Sequence, residues 1–385
     1  MPGLRGWRST VGTGRRYGVA LPDSNEVVVE TAVFRLDGVT KRYGDLVALD
    51  NVSLDVGVNE YVSFLGPSGS GKTTLLRVIA GFETPDSGRV FFDGRDITHL
   101  PAHERGVGFV FQNFALFPHL TVLKNVGFGL TYGKAPLPAA EVDRRAREMI
   151  EMVGLAGMED RGVDQISGGQ RQRVALARTL AMQPKLVLLD EPLGALDANL
   201  RGRMRNELRA IRERLGVTFL HVTGSETEAL AMGDRVVVLD RGRIIQSGTA
   251  DQVYDTPSSP DVAHFLNRFN LFEGRLASGQ FTGPFGTVAA PAARKADRDV
   301  YAVRYDRMRV QPLTASPSGP ALKATFVASE YLGSSIMNFF EAEDGHVVEM
   351  EHHLSLGAPD TYEPKQDYLL TWNPEQAIVF GREAR

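Results

Sequence analysis

Cysteine is absent from the 385-residue sequence. Its absence excludes disulfides, thiolate metal sites and a cysteine nucleophile, and it fits a reducing compartment. Long apolar runs are also missing. The runs present, such as Leu186-Val187-Leu188-Leu189 and Val236-Val237-Val238-Leu239, have strand length and fall far short of the ~18–20 residues a membrane-spanning helix needs. Charge of one sign is not in excess either: 43 Lys and Arg face 47 Asp and Glu, a net charge of −4. That balance argues against nucleic acid as the main partner. The first 22 residues carry Arg5, Arg8, Arg15 and Arg16 with no acid, but no apolar stretch of the kind a secretory signal requires. Residues 1–30 are therefore expected to be a disordered basic tail, with contact to anionic lipid headgroups as the alternative.

What is present is ordinary globular composition, 43% hydrophobic and 23% charged, over a length that suggests two or three domains. From Val33 to about Gly248, short apolar runs alternate with helical stretches. The runs at 61–65, 107–111, 186–189 and 217–222 suit buried strands of a parallel sheet. Leu200, Met204, Leu208, Ile211 and Leu215 recur at helical spacing, and Gly216 stands where that helix ends. Helices are also expected at 139–153 and 173–181, and a hairpin at 235–239 and 243–246 turning on Asp240-Arg241-Gly242. Strand–helix alternation indicates an α/β domain at 31–255. A short linker helix at 262–269 lies within a junction spanning 256–270. From 271 to 385, turn signals every 8–12 residues and short alternating strands, as at 301–304, 324–328, 337–340 and 368–372, indicate a small β-barrel or sandwich, with 312–320 a loop inside it.

Three constellations carry chemistry. Gly66-Pro67-Ser68-Gly69-Ser70-Gly71-Lys72-Thr73-Thr74 follows an apolar strand and precedes a helical stretch. In that setting, glycine-rich backbone and a helix N-terminus cradle phosphate oxygens, Lys72 reaches the terminal phosphates, and the Thr73 hydroxyl ligates Mg²⁺. Asp190 and Glu191 end a buried strand, at the sheet edge where α/β folds bind ligands. Asp190 suits the Mg²⁺ shell and Glu191 the polarisation of an attacking water. Ser167-Gly168-Gly169-Gln170 begins a helix with a capping serine. It is a second anion-facing terminus, which makes sense if it serves the nucleotide of another chain.

Taken together, these motifs make the chain resemble the ATPase subunit of an ABC transporter, over about residues 33–248. Gln112 after the strand at 107–111, Ala195-Leu196-Asp197 after Glu191, and Tyr43 in Lys41-Arg42-Tyr43-Gly44 stand where that family has its remaining site residues. The resemblance implies an α/β P-loop ABC ATPase domain working as a head-to-tail dimer with two ATP molecules and Mg²⁺ between subunits. Each ATP meets residues 66–74, Gln112, Asp190 and Glu191 of one subunit and Ser167, Gly168, Gly169, Gln170 and Asp197 of the other. Tyr43 stacks on adenine, and Thr73, Gln112 and Asp190 hold the metal. Residues 114–126 receive the membrane permease, with Phe114, Leu116, Phe117 and Leu120 as the apolar contact; ordinary core is the alternative for that segment.

One position departs from the family. Where the pattern has a switch histidine before a helix, this chain reads Val222-Thr223-Gly224-Ser225. His221 lies three residues earlier, roughly 10 Å away along a strand, and reads as a half-buried strand residue. Two functions follow: an importer ATPase that hydrolyses ATP with Glu191 and Lys72, or a hydrolysis-impaired, nucleotide-gated subunit paired with an intact partner ATPase. A soluble DNA-repair or translation ATPase is disfavoured, because neither a second cassette nor a coiled-coil insertion occurs.

Segments 301–310, Glu330-Tyr331-Leu332-Gly333-Ser334 and 370–375 resemble the small all-β, OB-like TOBE domain of importer ATPases, with a plain dimer brace as the alternative role. The resemblance implies a peripheral subunit on the cytoplasmic face of the cell membrane. Its partners are a second ATPase subunit, two permease subunits and an extracytoplasmic solute-binding protein. The resemblance points to a binding-protein-dependent importer of the polyamine, ferric-ion or sugar group, and the compact tail leans to polyamine, spermidine or putrescine, as the solute.

Overall fold

The computed structural model describes residues 32–133, 135–194, 198–266, 268–290, 293–317 and 319–382. The tail at 1–30 and Asp197 lie outside them, as do the side chains of residues 198–200. Two long strands, β1 (Ala32–Tyr43) and β2 (Leu46–Gly57), pair antiparallel. They are followed by β3 (Tyr61–Leu65), α1 (Lys72–Ala80), β4 (Ser87–Phe92), β5 (Arg95–Asp96), β6 (Gly108–Val110), α2 (Val122–Tyr132), α3 (Ala139–Met152), α4 (Gly168–Ala181) and β7 (Leu186–Asp190). Then come α5 (Ala198–Leu215), β8 (Thr218–Thr223), α6 (Glu226–Met232), β9 (Arg235–Asp240), β10 (Arg243–Gly248), α7 (Ala250–Asp255) and α8 (Pro260–Phe265).

The central sheet has the order β10-β9-β3-β8-β7-β6, parallel except for β10. Its strands read as continuous apolar runs because both faces are covered. Side-chain alternation divides each strand between two cores. Val62, Phe64, Leu188, Leu220 and Val222 meet Leu75, Leu76 and Ile79 of α1 and the sheet β2-β1-β4-β5. Tyr61, Val187, Leu189 and Phe219 meet α2 to α5, where Met204, Leu208 and Ile211 bury the expected stripe. The antiparallel sheet of β1, β2 and β4 was not anticipated. Its strands alternate buried and exposed residues, and so lack the continuous runs that mark the parallel ones.

Helix α4 starts five residues before the expected 173, because Ser167 caps it there. The β9–β10 turn puts Arg241 (φ 46°) and Gly242 (φ 77°) in the left-handed region, as a two-residue primed turn requires. The linker helix ends at Phe265, short of the expected 269. Phe269 instead opens the strand Phe269–Glu273, and its ring joins a core with Leu65, Val236, Val262, Ala302 and Phe380.

Beyond this point the chain is all-β. Phe269–Glu273, Val300–Arg304, Ile378–Arg382 and Arg294–Ala296 form one sheet. Arg309–Gln311, Asp367–Thr371, Ala321–Tyr331, Ser335–Ala342 and Val347–His353 form another, in that order. Aromatic rings fill the space between them. Phe272 and Trp372 stack at 5.7 Å, and Phe285 stands edge-on to Trp372 at 5.1 Å.

One buried cation ties the end of the phosphate-loop helix to the antiparallel sheet. Arg105, 3% exposed, donates to the carbonyls of Val78 and Ile79 at the end of α1 (2.7 and 2.9 Å), and to those of Thr98 and Leu100 (2.9 and 2.8 Å). Burial pulls its pKa down to about 10. Replacing it strips this donor from four carbonyls, and at the helix end the Val78 carbonyl keeps only the long bond from Gly81 N–H at 3.3 Å. Arg105→Met should therefore lower stability by about 3 kcal/mol. A urea melt should show a lower midpoint, with only part of the loss recovered by Arg105→Lys.

Candidate active site

The carboxyl ends of β3, β6, β7 and β8 lie along one edge of the sheet, and each delivers a motif. After Leu65 the chain turns through residues 66–71 and enters α1 at Lys72. Glycine is required at both ends of this loop. A Cβ on Gly66 would lie 2.2 Å from the Leu239 carbonyl oxygen. One on Gly71, at φ 102°, would lie 2.5 Å from that of Ala48. Gly242 N–H donates to the Ser70 carbonyl at 3.0 Å, so the β9–β10 turn braces the loop. Ser68, Gly69 and Thr73 are exposed and Thr74 half-buried. The Lys72 ammonium donates to the carbonyls of Gly66 and Pro67 at 2.7 and 2.9 Å. Burial lowers its pKa, and the charges of Glu191 and Asp190 pull it back up.

Across the edge, Asp190 ends β7. Burial, and next the neighbouring Glu191, push its carboxyl above the usual range, against Arg77 and Lys72. Glu191 has φ 44°, a left-handed conformation rare for glutamate. Its N–H donates to the Val222 carbonyl at 3.0 Å, and its Oε2 accepts from Gln112 Nε2 at 2.7 Å. Gln112 follows β6. The structure thus brings Lys72, Gln112, Asp190 and Glu191 to one edge.

Gly224 follows β8. No atom lies within 4 Å of where its Cβ would stand, and its φ is outside the left-handed region. The frame around it is tight. Thr223 Oγ1 donates to Glu228 at 2.9 Å and accepts from Ser225 N–H at 3.0 Å, and Ser225 Oγ accepts from Glu228 N–H at 3.3 Å. His221 does not approach this position. It is fully buried rather than half-buried, level with Ser63 and Leu189 in the sheet and edge-on to Tyr61 at 5.9 Å.

Ser167 caps α4. Its Oγ accepts from Gln170 N–H at 3.3 Å, and Gln170 Oε1 accepts from Ser167 N–H at 2.8 Å. Ser167 and Gly168 are exposed, Gly169 is buried and Gln170 half-buried. Tyr43 is 43% exposed at the tip of the β1–β2 hairpin, with Lys41 over its ring at 5.4 Å. In the segment at 114–126, Phe114 is 9% exposed and belongs to the core, so it is not free to meet a partner, and the half-buried Leu116 packs against that core. Phe117 and Leu120 remain half-buried. Arg178 of α4, unmarked by any local pattern, donates to the carbonyls of Phe114 and Ala115 at 2.9 and 2.7 Å.

Known proteins share this arrangement. The ABC transporter family profile matches residues 49–194, and the TOBE domain profile matches 301–380. The chain is 52% identical over 352 residues to a sulfate/thiosulfate import ATP-binding protein of Agrobacterium fabrum, covering 91% of this chain and 99% of that one. It is 48% identical over 242 residues to a spermidine/putrescine import ATP-binding protein of Clostridioides difficile, covering 63% and 69%. A dimeric ATP-binding cassette solved in a post-hydrolysis state with ADP and Pi superposes with a TM-score of 0.51 at 35% identity, over 56% of this chain and 98% of that one. The chain belongs to the ABC transporter ATPases, as an ATP-binding subunit of the importer kind with a C-terminal TOBE domain.

The buried His221 generates a pH prediction. Both ring nitrogens lack a hydrogen-bond partner, and burial drives the pKa down to about 3. The unfolded chain therefore binds the proton first. Stability is full above about pH 6.5 and is lost as pH falls from there towards 3, by up to about 1.4 kcal/mol per unit. His221→Leu should be near neutral at pH 7 and should gain about 2 kcal/mol over wild type at pH 5. Urea melts at the two pH values read the difference, and parallel losses in both proteins would refute the assignment.

Proposed function

We propose that this chain binds Mg·ATP at the carboxyl edge of its central sheet, hydrolyses it within a subunit dimer, and drives solute import through a membrane permease. The convergence of Lys72, Gln112, Asp190 and Glu191 on one edge carries the reading. Backbone amides of residues 66–71 and the N-terminus of α1 hold the phosphates. The Lys72 ammonium exchanges its two loop carbonyls for phosphate oxygens. Thr73, Gln112 and Asp190 offer only oxygen donors, which suits Mg²⁺; among the described residues no cluster of acids or histidines forms an all-protein cage, as expected when substrate phosphates and water complete the shell. Mg²⁺ supplies neutralisation of the phosphate charge. Glu191 polarises the attacking water. Tyr43 stacks on the adenine, and the second subunit contributes its own Ser167–Gln170 and Asp197.

The assembly we infer has two ATPase subunits beneath two permease subunits, on the cytoplasmic face of the cell membrane, with a solute-binding protein on the other side. No described helix is long and apolar enough to cross a membrane, so the pore is assigned to other chains. For the solute, relatives named for sulfate/thiosulfate and for polyamines match the ATPase core comparably. A sulfate/thiosulfate subunit matches over 91% of the chain, reaching into the C-terminal domain, while two polyamine subunits match over 63% and 68% of it. That favours a sulfate-like oxyanion over the polyamine expected from the tail.

In proteoliposomes holding the whole complex, wild type should hydrolyse ATP, and Glu191→Gln should bind ATP with hydrolysis reduced ~10²-fold or more. Wild type no faster than Glu191→Gln would sink own-site hydrolysis in favour of the nucleotide-gated subunit. Gly224→His enters open space on an unstrained backbone, and should fold normally and raise turnover by up to ~10²-fold. Labelled sulfate should accumulate and labelled putrescine should not; the reverse restores the polyamine assignment.

A further inference from the structure

The stretch between Gln112 and α2 contains no helix or strand, yet its backbone is held at almost every turn. Phe114 and Ala115 both have left-handed φ values, 64° and 44°, and Arg178 takes both of their carbonyls. The far half hangs on Asn125. This side chain is fully buried in the first turn of α2. Its Oδ1 accepts from the Phe117 amide at 2.9 Å. Its Nδ2 donates to the carbonyls of Phe117, Leu120 and Thr121, at 3.1, 3.2 and 3.1 Å. Two amide hydrogens serve three acceptors, so the donor capacity of the group is fully spent.

Within α2 the side chain reaches only the carbonyl of the capping Thr121, which already accepts from the Asn125 amide. Its neighbours Val122 and Val126 are fully buried, and an apolar residue would fill the site without desolvating an amide. The hydrogen bonds instead shape the adjoining loop. Beside it, the loop and α2 share an aromatic cluster. The ring of Phe117 packs on Phe128 at 4.2 Å, and Phe128 on Tyr132 at 4.9 Å, with Tyr132 73% exposed.

We propose that Asn125 is a positioning residue for coupling: it holds residues 113–121 in one shape, so that a permease segment seated on Phe117 and Leu120 moves the loop, and with it Gln112, as a unit. The proposal rests on the reading that this loop receives the permease. Asn125 touches neither nucleotide nor metal and acts only through the loop.

The test uses the full complex in proteoliposomes. Asn125→Asp keeps Oδ1 for the Phe117 amide but faces three carbonyls with a carboxylate in place of a donor. Basal hydrolysis by the variant subunit, and its KM for ATP, should stay within about twofold of wild type, while permease-stimulated kcat and transport fall at least ~10-fold. If the charge prevents folding, Asn125→Ala gives the same readout without it, together with faster hydrogen exchange at the Phe117 amide. Leu120→Glu, in the same loop, tests the seat itself. If Leu120→Glu uncouples transport and the Asn125 variants do not, Asn125 has no positioning role and the seat stands. If neither uncouples, the seat and the proposal fall together. Parallel loss of basal and stimulated hydrolysis in both Asn125 variants would assign the residue a merely structural role.

Discussion

The hydrogen bond from Glu191 N–H to the Val222 carbonyl, 3.0 Å long, organises the catalytic edge. It closes the last register pair of β7 with β8, Asp190 with Val222. Just past that pair Glu191 leaves the strand in a left-handed conformation, at a cost of roughly 1–3 kcal/mol. A straight strand would send two adjacent carboxylates to opposite faces of the sheet; the turn leaves both at its edge, near enough to act on Lys72. Asp190 stays half-buried under the influence of Arg77 and Lys72, and Glu191 reaches Gln112. Two neighbouring acids thereby acquire different surroundings, which is what division of labour between metal and water requires.

Close backbone packing holds the other side of the edge. The phosphate loop is pressed from two directions, by the Leu239 carbonyl at Gly66 and the Ala48 carbonyl at Gly71, and is tied at Ser70 to the β9–β10 turn. No side chain fits at either contact. The loop's shape is therefore set by β2 and β9, elements from opposite ends of the ATPase domain, and loop and sheet edge move together. Arg105 adds a tie at the far end of α1, so that the helix behind the glycine-rich loop is anchored at both ends.

Residues 66–74 and 190–191 are legible in sequence because their chemistry is local: a phosphate cradle needs its glycines, lysine and threonine within one turn. The parallel strands are legible because burial on both faces leaves an unbroken apolar run. Elements that depend on distant partners are not. The antiparallel sheet of β1, β2 and β4 alternates in a way that a connecting loop can imitate, and Phe114 looks like docking surface until α2 and α4 close over it. Arg178 and Asn125 act on a loop more than sixty residues away in one case and eight or fewer in the other. Neither spacing forms a pattern, since what they bond is backbone of any sequence.

The position of the missing switch histidine shows how much of an active site resides in backbone. Thr223, Ser225 and Glu228 keep the strand end and helix start in a closed set of hydrogen bonds, although the side chain they would present is reduced to hydrogen. The departure is therefore confined to the side chain at Gly224, with the backbone around it kept. The aim of Glu191 does not depend on it, because the Val222 carbonyl and Gln112 hold that residue. His221 is no substitute: a residue three steps back on a fully buried strand, neutral down to about pH 3, cannot reach the edge without breaking the sheet. The backbone geometry at this strand end is thus set without a side chain at Gly224.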